Sequence, residues 1–154
     1  MQTEPTNNTA TREVIVYPAL SLLQPWASLV VMGIKKWETR GWKPKDKPER
    51  IYIHASLSKR FRMIAATDPF NKYIADFDAL PFGAIIGRVT LGQMIPTQKA
   101  VKMIGPDEIA FGDYGGGRVA WELLDPRETD PVPMRGALSL WDPSEAIFAH
   151  LKKQ

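Results

Sequence analysis

Residues 83–95 read Gly-Ala-Ile-Ile-Gly-Arg-Val-Thr-Leu-Gly-Gln-Met-Ile, and few architectures accept such a run. Its β-branched and aliphatic residues mark a long strand. Glycines 83, 87 and 92 interrupt it at intervals, and an isolated glycine within a strand marks a bulge or a tight bend. A long strand bent more than once belongs to a sheet that curls, so this segment predicts a small barrel.

The remaining segments are short and fit around such a sheet. Residues 1–12 are polar and read as a disordered lead-in to a single domain over 13–154. Val14, Val16 and the Leu20–Leu23 stretch read as strand, interrupted by Pro18. Gln24–Gly33 predicts a helix, with proline in the first turn and glycine at the left-handed stop. Trp26, Leu29, Val30 and Gly33 share one face of it, and the opposite face is apolar too, so the helix is expected to be buried on most sides. Lys35–Arg40 alternates like a strand, Trp42–Pro48 is a lysine- and proline-rich loop, and Arg50–His54 is a second strand with Ile51 and Ile53 inward. Two short helices are expected over 58–77, split at Asp68-Pro69. Thr97 caps a helix over Gln98–Ile104, Arg118–Leu124 is a strand, Pro126–Pro133 an extended loop and Ala137–Trp141 a last strand. A terminal helix opens at Asp142 and ends on Lys152 and Lys153, the sign its dipole favours. The class is α+β: five to six strands in a small barrel, with short helices packed outside.

Composition narrows the chemistry. Leu, Ile, Val and Phe make up about a quarter of the 154 residues, enough for a sizeable core. There is no cysteine, which excludes disulfides, thiolate metal sites and a cysteine nucleophile. With only two histidines, His54 and His150, no metal site and no cofactor are expected. No apolar run approaches a membrane span and Met1–Arg12 lacks the apolar region of a secretory leader, so a cytoplasmic chain without a membrane partner is expected. Net charge is only +3, yet residues 35–62 carry ten lysines and arginines against three acids. A basic segment on a mildly acidic body points to a polyanion, nucleic acid first; a solvated lysine-rich loop is the plainer reading.

Two stretches carry more than pattern. One runs Leu20-Ser21-Leu22-Leu23-Gln24-Pro25-Trp26-Ala27, then Gly33-Ile34-Lys35-Lys36-Trp37-Glu38-Thr39-Arg40, to Trp42. The other comprises Ile53-His54-Ala55-Ser56, Gly83-Ala84-Ile85-Ile86-Gly87, and Pro131-Val132-Pro133-Met134-Arg135-Gly136, closing at Trp141. Together they resemble the ASCH domain family, whose signature G-x-K-x-x-E-x-R is filled by Gly33, Lys35, Glu38 and Arg40. The resemblance implies a PUA-like barrel with a cleft bordered by the signature, and a role in recognising RNA or a nucleotide. The wider family includes RNA-binding modules, proposed ribonucleases and small amidohydrolases acting on an acetylated cytidine. In that amidohydrolase branch a nucleophilic threonine falls three residues after the signature lysine, where this chain has Glu38.

The residues themselves suggest roles. Lys35 is a flexible point charge suited to phosphate or to activating a carbonyl. Arg40, two residues beyond Glu38 on one strand face, can orient that carboxylate, and the carboxylate can accept from a base amino group. Lys36 and Lys43 add phosphate contacts, and Trp42 beside the loop is the stacking candidate, with Trp26, Trp37, Trp121 and Trp141 assigned to core. The expected nucleic-acid contacts are thus Lys35, Lys36, Glu38, Arg40, Trp42 and Lys43. Should the chain be an enzyme, Lys35, Glu38 and His54 are the catalytic candidates, with His54 a base poised near neutrality and Ser56 just beyond it. Gly115–Gly117 reads as a turn, and His150 as surface. RNA or a nucleotide is the expected partner; the leading function is binding in a basic, tryptophan-flanked cleft, and the alternative is hydrolysis in that cleft, by a ribonuclease or a nucleoside amidohydrolase.

Overall fold

A computed structural model describes residues 15–153; the lead-in expected over 1–12, and Val14, lie outside the described residues. The long glycine-punctuated run forms strand β4 (Ala84–Pro96), which pairs along its length with the equally long β5 (Val119–Pro133). Around this hairpin lie β1 (Ala19–Leu22), β2 (Trp37–Arg40), β3 (Arg50–Ala55) and β6 (Leu140–Trp141). One six-stranded sheet results, in the order β2-β5-β4-β3-β1-β6. All pairs are antiparallel except β1 with β3, which sets Ser21 beside His54.

The β4–β5 register slips at three places, one between Arg88 and Thr90 and two at glycines. Between Ile85 and Gly87, and again between Leu91 and Met94, the β4–β5 ladder gains or loses residues, which bends a strand and raises its twist. Gly87 is obligatory for a packing reason: a Cβ there would lie 2.4 Å from the Arg127 carbonyl oxygen and 2.7 Å from Val31 Cγ1. The bends carry the sheet so far round that Arg40, on the β2 edge, places Nη2 3.4 Å from the Ser21 carbonyl oxygen on β1. This contact bridges strands that stand four places apart in the sheet order. The predicted barrel is thus a curled half-barrel, its seam spanned by an arginine.

Helix α1 (Trp26–Val31) fills the inside of the curl. Gln24, wholly buried, starts it: Oε1 accepts from the Ser28 backbone N–H at 3.0 Å, and Nε2 donates to Ser28 Oγ and to the Pro81 carbonyl. Val30 and Val31 pack on Leu20, Ile51, Ile53, Val89, Leu91, Trp121 and Leu123. Leu29 enters a second cluster with Phe70, Phe77 and Phe111. The helix is therefore buried on most sides, as its apolar composition requires.

The region expected to form two short helices is three 3-10 turns, Arg62–Ala66, Phe70–Lys72 and Phe77–Ala79, anchored by Ala65, Phe70 and Phe77. Thr97 opens only one turn, α2 (Thr97–Ala100), and its hydroxyl donates to the Gly115 carbonyl at 2.8 Å, tying the start of the turn to the glycine loop. A further helix, α3 (Pro106–Phe111), follows, and α4 (Ser144–Lys152) closes the described chain. The loop expected over Pro126–Pro133 is instead the second half of β5. Only Val119–Glu122 of β5 pair with β2, so beyond them β5 has β4 as its one sheet neighbour, and an edge tolerates proline. No described helix is long and apolar enough to cross a membrane.

Candidate functional site

Two cavities open at the seam. The larger, a groove of about 780 Å³, is lined by Glu38, Arg40, Arg60 and Arg118 with Trp26 and Phe61. The smaller, about 490 Å³, is lined by Ser21, Arg40, His54, Ser56, Arg135 and Gly136. Ser21, Leu22, Leu23 and Arg40 line both, so the two meet at the end of β1 and Arg40 stands between them.

Glu38 is the electrostatic centre of the groove. The alternation of β2 turns it, with Arg40, to one face of the sheet. Its Oε1 accepts from the Thr39 backbone N–H at 2.9 Å and lies 3.4 Å from Lys35 Nζ. Its Oε2 lies 3.4 Å from Arg40 Nη2. The carboxylate thus sits between two cations and is held by its own strand. Strict alternation over Lys35–Arg40 would turn Lys35 to the face opposite Glu38, but Lys35 precedes β2 and escapes that alternation.

Lys35 is 2% exposed, and its ammonium donates to the Trp37 carbonyl as well as pairing with Glu38. It acts on the groove through Glu38 rather than at its surface. Behind it, burial pushes the Glu108 carboxyl above its ordinary range, and burial likewise raises the Tyr114 phenol. Glu108 Oε2 and the Tyr114 hydroxyl are buried without a hydrogen-bond partner.

The walls come from distant segments. Trp26 is held by its indole N–H, which donates to the Phe111 carbonyl at 2.8 Å, and stands edge-on to Phe61 with centroids 5.0 Å apart. Arg60 lies over the Phe61 ring at 4.9 Å, and Arg118 is fixed by the Thr39 and Asp113 carbonyls at 3.0 and 3.1 Å. Fixed guanidinium groups flanked by aromatic rings can bind a phosphate or a planar ring without first being ordered.

The other sequence candidates lie elsewhere. Trp42 packs against the main core, edge-on to Trp121 at 5.0 Å, and its carbonyl accepts from the Trp121 indole. Lys36 lines a different cavity, with Ile34, Trp37 and Glu108. Lys43 is exposed on the loop after Trp42 and lines none of these cavities. Trp26, assigned to core by its helix, instead stands at the groove, and Trp141 packs edge-on to His54 at 5.4 Å. Of the six binding candidates, Glu38 and Arg40 meet in the groove, while His54 sits 2% exposed beside the smaller cavity.

Sequence reasoning does not find Arg60, Phe61 and Arg118, because nothing local says that residues 60 and 118 approach β2. Ser21 carries a signal: a lone polar residue in Leu-Ser-Leu alternation, facing away from the core. Among the described residues no three His, Asp or Glu side chains converge as metal ligands.

The family model described as "ASCH domain" matches residues 20–133. In fold the chain is similar to the crystal structure of ASCH from Zymomonas mobilis, with 19% identity, 89% of this chain and 94% of that chain covered, and a TM-score of 0.56. A tyrosine-to-phenylalanine variant of that protein aligns at 18% identity over 90% of this chain and 98% of the other, TM-score 0.57. A serine-to-alanine variant gives 18%, 89%, 95% and 0.56. No curated protein matches.

Proposed function

The chain belongs to the ASCH domain family, and from that premise we propose that its groove binds RNA or a nucleotide derived from it. One observation carries the reading: Arg40, Arg60 and Arg118 converge on a single groove that also exposes Trp26 and Phe61 and has Glu38 at its base. Guanidinium groups take phosphate oxygens in forked pairs, and aromatic faces stack any base at about 1–3 kcal/mol each. The carboxylate, tethered by the Thr39 N–H and by Lys35, presents an acceptor for an exocyclic amino group such as that of cytosine. The groove volume falls within the range of ordinary small-molecule sites, which suits one or two nucleotides.

The test is a titration of a labelled single-stranded RNA at several salt concentrations. With about three phosphates held, log K falls against log salt with a slope near −2, from roughly −0.7 per phosphate on a single strand. Arg40→Ala combined with Arg60→Ala brings that slope to about −0.7, one contact remaining. A flat salt response, or unchanged affinity in the double variant, would remove the proposal.

A further inference from the structure

Beside the groove, three side chains from three strands form one directed chain of hydrogen bonds. His54 Nε2 lies 2.9 Å from the Met134 carbonyl oxygen. A carbonyl only accepts, so Nε2 carries the proton and Nδ1 keeps its lone pair. Nδ1 lies 3.0 Å from Ser21 Oγ, so the serine hydroxyl donates its proton to the imidazole. The Trp141 indole N–H donates to the same Oγ at 3.1 Å and fixes its rotamer. The parallel pairing of β1 and β3 sets this register, placing Ser21 directly beside His54.

The surroundings are fitted to the pair. A Cβ at Gly136 would lie 2.5 Å from Ser21 Oγ and 2.8 Å from His54 Nδ1, so the loop after β5 passes there only as glycine. Ser21 and His54 both line the cavity of about 490 Å³, with Arg40 and Arg135 at its walls. Burial holds the His54 imidazole below its ordinary value, so it is neutral and proton-accepting near pH 7. A hydroxyl, a base within hydrogen-bond reach, and a third group orienting the base make up an activated nucleophile, the Met134 carbonyl standing in the orienting role.

We propose that Ser21 and His54 are a nucleophile–base dyad that hydrolyses carboxylic esters of anionic alcohols in this cavity. Ser21 Oγ forms a bond to the acyl carbon while its proton passes to His54 Nδ1. The bond from that carbon to the alcohol oxygen breaks, and the alcohol leaves with the proton. Water then attacks the acyl-serine, giving a proton to Nδ1. The acyl–Oγ bond breaks, the proton returns to Oγ, and the carboxylic acid departs. Arg40, between the two cavities, supplies positive charge to the oxyanion. Ester cleavage rests on the dyad alone, whereas selectivity for anionic alcohols rests on the nucleotide reading of the groove.

The full chain is incubated with p-nitrophenyl acetate and, separately, with a fluorophosphonate probe followed by intact-mass and peptide analysis. The expected result is a burst of nitrophenolate, a single phosphonylation on Ser21, and loss of turnover by about 100-fold or more in both Ser21→Ala and His54→Gln. The rate rises with pH through one ionisation below the ordinary histidine value and is level at neutrality. Labelling of the unaltered chain does not depend on any variant folding, and its absence, or label on Ser56 or Ser139 instead, overturns the dyad. Turnover retained in a folded Ser21→Ala protein does the same. Adenosine monophosphate is expected to slow the ester reaction by occupying the groove and cavity mouth. If it leaves the rate unchanged while burst and label persist, the anionic selectivity fails together with the groove reading, and the ester activity stands.

Discussion

Lys35 is a charged signature residue that is buried and meets the groove only through Glu38. Its ammonium is sequestered against Glu38 and the Trp37 carbonyl, so removing it leaves a carboxylate with one cation fewer in a confined setting. Lys35→Ala is expected to cost about 3 kcal/mol, the scale of breaking a buried pair, as a lowered midpoint in urea. In the folded fraction RNA affinity should change less than in Arg60→Ala. His54 makes an independent pH prediction. Because the folded chain resists protonating it and the unfolded chain does not, the stability it contributes is whole above the ordinary value of 6.5. It is lost as pH falls from there through the lower folded value. Melting temperature should therefore drop on acidification through that window, and the drop should shrink in His54→Gln. At this scale the Glu38–Arg40 pairing is legible in the sequence, since two residues apart on a strand means one face. The Ser21–His54 pairing is not, because residues thirty-three positions apart meet only once β1 has chosen β3 as its parallel neighbour.

Among the elements, β4 determines the shape of the sheet, and at Gly87 it is pressed against backbone of β5. Gly87→Ala forces a methyl into the Arg127 carbonyl and Val31, and overpacking of this kind costs about 2 kcal/mol. Urea denaturation should show it, with the unfolding slope unchanged if the sheet still forms. The bends of β4 are written in its glycines, and the terminal helix in its proline start and basic end. The continuation of β5 through Pro126, Pro131 and Pro133 is hidden, because a proline reads as a strand breaker until it is known that the strand has lost one neighbour. Helix α3 has an available signal, Pro106 in the first turn followed by Asp107 and Glu108. The glycine loop that holds the start of α2 acts through a contact eighteen residues away, beyond any local rule.

For the molecule as a whole, stability is distributed unevenly. Strands β3 and β4 are flanked on both sides and line the main core, whereas β6 has two residues and α4 buries none. Native-state hydrogen exchange should find amides of Ile51, Ile53 and Val89 opening only with global unfolding, and those of α4 exchanging through local opening. Equal protection across both would contradict this partition. The class and the curl follow from one glycine-rich run, but the location of the seam does not, since it depends on which strands become the edges.

That strand order also has a consequence during synthesis. Strand β2 emerges early, yet its one partner among the described strands is β5, some eighty residues later in the chain. Until the ribosome has released that segment, Glu38 and Arg40 have no sheet to join, and the groove has no second wall until Arg118 is made. A nascent chain therefore has no assembled groove until the second half of the sheet has been made.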